Sequence, residues 1–155
     1  MADEFDFISA TDKPALLAFS TPEWLETAKA ALQELGYKVH TAATHSDFLI
    51  RFSQFRYQVV IVEELFAANS IEENATLATL QSMPMARRRH STIILFGASF
   101  QTFTPMQAFQ QSVNAVINPS EVFLLRQLIE KAVGDSNFFL HSYREAQSTL
   151  YAEAR

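Results

Sequence analysis

Short apolar runs recur along the chain: Pro14-Ala15-Leu16-Leu17-Ala18-Phe19, Val59-Val60-Ile61-Val62, Thr92-Ile93-Ile94-Leu95-Phe96 and Ala115-Val116-Ile117. None alternates polar with apolar residues, which predicts strands covered on both faces, as in a parallel sheet. Tyr37 to Ala42 reads as one more strand. Between the runs the apolar spacing changes to three and four. In Ser20-Thr21-Pro22-Glu23 hydroxyls precede a proline suited to a first helical turn; Leu25, Ala28, Leu32 and Leu35 follow, and Gly36 stands where a helix takes a left-handed cap. Ser46 to Gln54 predicts a short helix carrying Phe48, Leu49 and Phe52, with Phe55 just beyond it. Asn69 to about Met83 reads as helical through Ile71, Ala75, Ala78 and Leu80, with an acidic first turn and Arg87-Arg88-Arg89 at its exit, signs that agree with the helix dipole. Thr104-Pro105 opens another helix through Phe109. Ser120 is placed to cap the last one, with Val122, Leu125, Leu128, Ile129 and Ala132 on one face and Gly134 closing it.

Strands and helices therefore alternate strictly, five of each. That alternation predicts right-handed crossovers and a doubly wound α/β domain: a five-stranded parallel sheet with helices on both faces. The domain is expected over residues 14–134. Residues 1–13 mix acids with Phe5, Phe7 and Ile8 and read as an N-terminal arm. Residues 135–155 read as a C-terminal helical extension, with Phe139, Tyr143, Ala146 and Leu150 spaced by four, three and four.

Composition narrows the function classes. A chain of 155 residues, 48% hydrophobic and 19% charged, is expected to be one folded, soluble domain. The net charge of −5 carries no basic excess, so nucleic acid is an unlikely partner. The absence of cysteine excludes disulfides, thiolate catalysis and thiolate metal sites. No apolar run is long enough to span a bilayer, and the start, Met1-Ala2-Asp3-Glu4, is acidic where a signal peptide is basic, so the expected location is cytoplasmic and no membrane partner is expected. His40, His45, His90 and His141 lie in different elements without metal-ligand spacing, and with three glycines the chain has no glycine-rich loop. No enzyme, metal or cofactor is expected.

Two segments are more specific: Glu34-Leu35-Gly36-Tyr37-Lys38-Val39-His40-Thr41-Ala42 and Tyr57-Gln58-Val59-Val60-Ile61-Val62-Glu63. In this order and at this distance they resemble the receiver domain of two-component response regulators, nearly without gaps from Pro14 to Glu63 and more loosely to Gly134. The resemblance implies a flavodoxin-like (βα)5 fold of strand order 2-1-3-4-5, here with an extra C-terminal helix. A receiver uses two acidic residues ending the first strand and an aspartate ending the third to hold Mg²⁺, the aspartate being also the phosphoacceptor. A Thr or Ser ending the fourth strand and a Lys before a proline ending the fifth bind the phosphoryl oxygens. Carried over by the resemblance, these positions fall on Phe19 and Ser20, Glu63, Gly97 and Asn118, and the aromatic switch position falls on Ala115. None of the functional residues is kept, so a degenerate phosphoacceptor pocket is expected.

Glu63 then reads either as a built-in mimic of the phosphorylated state or as a remnant carboxylate facing solvent. A mimic needs the missing lysine and hydroxyl, which favours the remnant. Asn118-Pro119 is placed to keep the cis bond receivers use there. Function is expected on the surfaces. Candidates are Arg87, Arg88 and Arg89, for an acidic partner or a phosphate unless they are a solvated helix exit; Met106 and Phe109, where receivers dimerise; and Phe139, Tyr143 and Leu150 on the last helix, which either pack back or pair with another copy. The expected function is a phosphorylation-independent, receiver-like regulatory domain acting through protein–protein interaction, with a kinase, a regulator, a fused output domain or a second copy as partner. The alternative is a small-ligand sensor, for a nucleotide or cyclic dinucleotide, using the arginine run and the remodelled strand-end crevice.

Overall fold

The structure is a computed structural model in which residues 8–153 are described. Five strands, β1 (Lys13–Ala18), β2 (Tyr37–Ala42), β3 (Val59–Glu63), β4 (Thr92–Phe96) and β5 (Ala115–Ile117), form one sheet in the order β2-β1-β3-β4-β5. All neighbours pair in parallel, and the register sets Ala18 beside Val62, Glu63 beside Phe96 and Phe96 beside Ile117. The strands thus end almost level, and the residues that follow them meet at one end of the sheet.

Among the described residues six α-helices complete the fold: α1 (Pro22–Glu34), α2 (His45–Gln54), α3 (Ala75–Ser82), α4 (Met85–Arg88), α5 (Pro105–Gln110) and α6 (Leu125–Glu153). Alternation along each strand divides the core in two. Ala15, Leu17, Val59, Ile61, Ile94 and Phe96 face Ala28 and Leu32 of α1 and Leu125 and Ile129 of α6. Leu16, Ala18, Val60, Val62 and Ile93 face Phe48 of α2 and Leu80 of α3, while Leu95 and Val116 meet Leu77 of α3 and Ala108 of α5. Both faces of the sheet are covered, which is why β1, β3 and β4 carry unbroken apolar runs. Each fully buried Leu, Ile, Val or Phe contributes about 1.5–3 kcal/mol.

Several local expectations change. The segment from Asn69 to Met83 is not one helix: a 3₁₀ turn (Ile71–Glu73) comes first, and α3 begins only after Asn74, whose side chain accepts the Leu77 amide at 3.1 Å. Pro84 then forces Met83 into extended backbone, ending α3 and moving the arginine run onto the separate α4. Ser120 is not a cap. Asn118 takes that role, accepting the Ser120 amide at 2.8 Å to open a 3₁₀ turn (Pro119–Leu124) that leads into α6. Gly134 does not close the helix, which runs through it for 29 residues; a Cβ at that position meets no atom within 4 Å. Among the described residues no peptide bond is cis, Asn118–Pro119 included. Of the predicted arm, residues 1–7 lie outside the described residues, and β1 begins at Lys13 rather than Pro14.

Candidate functional site

The level strand ends bring Phe19, Ser20, Glu63, Gly97 and Asn118 towards one end of the sheet, and each has its own contacts there. Phe19 is 5% exposed and packs its ring on Phe96 at 5.4 Å between centroids, with Trp24 of α1 on the same ring at 5.2 Å. The position to which the resemblance carries the first metal-binding acid thus holds a buried apolar side chain. Ser20 holds the loop after β3: its hydroxyl accepts the amide of Ala67 at 2.7 Å, and Ala67 has a positive φ of 47°.

Glu63 does not face solvent. It is 4% exposed, and its Oε1 accepts the amide of Thr21, the N-cap residue of α1, at 3.1 Å. The helix dipole at that end favours a carboxylate. The local sequence predicts a solvated remnant; the turn from β1 into α1 binds the side chain instead. Glu64 is the second committed carboxylate. At 9% exposed it accepts the Ser99 hydroxyl on Oε2 at 2.6 Å and the Ser99 amide on Oε1 at 3.2 Å. Its side chain lies across Gly97, where an added Cβ would overlap Cβ and Oε1 of Glu64. Glu64 thus fills the space that a side chain at Gly97, just past β4, would need.

Two asparagines complete the frame. Asn74, fully buried, donates its side-chain amide to the carbonyls of Glu63 and Glu64 at 3.0 and 3.1 Å, satisfying the two last carbonyls of the strand end. Asn118 donates to the carbonyls of Phe100 and Ala98 at 2.7 and 3.3 Å, and its own amide donates to Thr102 Oγ1 at 2.9 Å, fastening the loop between β4 and α5. Among the described residues no group of three or more His, Cys, Asp or Glu side chains could hold a metal ion. Glu64 and Ser99 stand out in the sequence as a second carboxylate beside Glu63 and a hydroxyl two residues past Gly97, but their bond to each other does not. Asn74 is the site residue that sequence reading misses; an asparagine after an acidic turn is its one signal.

The candidate surface residues come together in part. Arg88 donates to the carbonyl of Leu80 at 2.9 Å, and Arg89 donates to that of Met85 at 3.2 Å while its guanidinium lies over the Tyr143 ring at 4.9 Å from the centroid. Arg88, Arg89 and Phe109 line one cleft of about 510 Å³ between α4 and α5. Arg87, Met106 and Phe109 point outwards, Phe109 being 80% exposed. Phe139 and Leu150 are exposed on α6, at positions that share a helical face with Tyr143. They do not pack back on the domain. No helix among the described residues is long and apolar enough to cross a membrane.

No protein-family model and no curated protein matches the sequence. Solved structures do match in fold. The CheY-like response regulator receiver domain protein from Methanospirillum hungatei is 16% identical with a TM-score of 0.62, over 82% of this chain and 98% of that one. The chemotaxis response regulator CheY4 of Vibrio cholerae is 15% identical with a TM-score of 0.62, over 79% and 99%. NtrX from Brucella abortus, solved in complex with ADP, is 14% identical with a TM-score of 0.64; the match covers 90% of this chain but only 29% of that one. The fold is the receiver fold.

Proposed function

We propose that this chain is a regulatory module of receiver type, located in the cytoplasm, that signals without phosphorylation by binding other proteins. The observation that carries this reading is the occupied strand-end crevice: Phe19 fills the site of the first acid, and the carboxylates of Glu63 and Glu64 are engaged by Thr21 and Ser99. Mg²⁺ needs several free oxygens in near-octahedral array, and a phosphoryl group needs cationic donors. Neither is supplied there.

The output then falls to the surfaces. Met106 and Phe109 on α5, with Phe139, Tyr143 and Leu150 on α6, offer large exposed apolar groups of the kind that favour interfaces. The unit is taken as residues 14–134, with 135–155 as the extension that meets a kinase, a regulator, a fused output domain or a second copy. Two measurements test the reading. Intact-mass analysis after incubation with a small phosphodonor and Mg²⁺ should show no adduct, and a stable phosphoryl adduct would overturn it. Removal of residues 136–155 should change the oligomeric state in solution or abolish capture of the physiological partner; an unchanged oligomer that keeps its partner would reject α6 as the interface.

A further inference from the structure

We propose that the loop between α2 and β3, the end of α4 and the middle of α6 together form a binding site for a small phosphate-bearing ligand of the nucleotide class. Arg56 and Gln58 precede β3, and His90 and Thr92 lie at the start of β4, so this site is at the end of the sheet opposite Glu63. It stands independently of the crevice and of the reading built on it.

His90 is the meeting point. Three adjoining clefts of about 280, 380 and 220 Å³ all include it: the first with Arg56 and Arg87, the second with His141 and Arg144, the third with Arg89 and Arg144. These cations come from three elements distant in sequence. No Asp or Glu lines any of the three clefts, and among the described residues Arg56, Arg87, Arg89 and Arg144 form no ion pair. Glu145 lines none of the three and pairs with His141 at 3.3 Å. In a chain of net charge −5 this is a local concentration of positive charge without its counter-charge, and like charges held together cost free energy until an anion joins them. The cost is visible on His90, whose pKa lies below the usual imidazole value through burial first and then through Arg56, Arg144 and Arg89.

The chemistry of the lining selects the ligand. Guanidinium forks match phosphate oxygens two at a time, and several forks converging from different elements suit more than one phosphate. The largest of the three clefts also has an apolar wall in Val133 and Leu140 and side-chain amides in Gln58 and Asn137, groups that take the face and edge of a base. Combined, the clefts have the size of small-ligand sites rather than of a nucleic-acid track, and the rest of the chain lacks the basic surface that nucleic acid requires.

The test is calorimetry and thermal shift on the full chain with ATP, AMP, inorganic pyrophosphate and a short single-stranded oligonucleotide. ATP should bind and raise Tm, more tightly than pyrophosphate, and more tightly at pH 6 than at pH 8 because His90 gains a proton beside the bound anion. R56A/R144A should weaken ATP binding about tenfold or more, as should Arg87→Glu, with Tm in plain buffer not lowered, since all three side chains are exposed and their mutual repulsion is relieved. No binding by ATP, AMP or pyrophosphate overturns the proposal, as does unchanged affinity in both variants. Equal affinity for pyrophosphate and ATP overturns the nucleotide class, and binding of the oligonucleotide without ATP assigns the surface to nucleic acid instead.

Discussion

Ser99 donates its hydroxyl to Oε2 of Glu64 at 2.6 Å, and its amide reaches Oε1 of the same carboxylate at 3.2 Å. The two residues stand 35 apart in sequence, so this clasp joins the end of β3 to the loop after β4. Ser99→Ala removes the shorter bond and leaves a poorly exposed carboxylate with one partner. It should cost about 1–2 kcal/mol in urea unfolding. A loss below about 0.5 kcal/mol, the scatter of ordinary surface changes, would show that the clasp contributes little.

Gly97 and Gly134 should respond to alanine with opposite signs. At Gly97 the new Cβ overlaps Glu64, whose side chain must move and break its bonds to Ser99, so Gly97→Ala should destabilise by about 1–3 kcal/mol. At Gly134, in mid-helix with no atom within 4 Å of the new Cβ, Gly134→Ala should stabilise by about 0.5–1 kcal/mol. Thermal melts of both variants check the pair, and equal signs would contradict the assigned surroundings.

Restoring an acid should not restore a receiver. Phe19→Asp buries a carboxylate against Phe96, whose ring also meets Trp24. The expected result is a loss of about 3 kcal/mol or more, with no stabilisation on adding Mg²⁺. A folded variant whose Tm rises with Mg²⁺ would mean the crevice can still be opened.

Asn74→Asp tests the buried frame. The side chain keeps its acceptor for Leu77 but turns a carboxylate oxygen towards the carbonyls of Glu63 and Glu64, where a donor now sits. Unfolding experiments at pH 7 should show a loss of about 2–4 kcal/mol.

Stability should fall in mild acid through His90. Its folded pKa is lowered, so the unfolded chain binds more protons; the contribution is fully present above the ordinary value of 6.5 and is lost as pH falls through the depressed folded value. Melting between pH 8 and pH 5 should show this decline, and His90→Gln should flatten it. An equal decline in the variant would assign the effect elsewhere.

The fold was legible because its signals are local and repeated. The β-branched run of β3 and the proline of α1 report burial and geometry within a few residues, and Gly36, at φ 87°, sits in the left-handed backbone the sequence called for. The helix that runs through Gly134 was not legible, because Gly134-Asp135-Ser136-Asn137 favours a stop by local preference. Propagation from the docked turns around Leu125, Ile129 and Ala132 outweighs a glycine cost of about 1 kcal/mol. At the site, the five positions were legible from strand ends, but their occupation was not. Whether Glu64 turns towards Ser99 depends on a loop whose course no local pattern encodes.

The length of α6 has a mechanical consequence. Its buried contacts end near Ala132, where the base of the helix is packed on α1 and the sheet, yet further out Tyr143 still lies against Arg89, and Arg144 and Gln147 share a cleft with His90. The helix is thus fastened at two separate places, one apolar and one cationic, and acts as a strut that ties the α1 side of the sheet to α4.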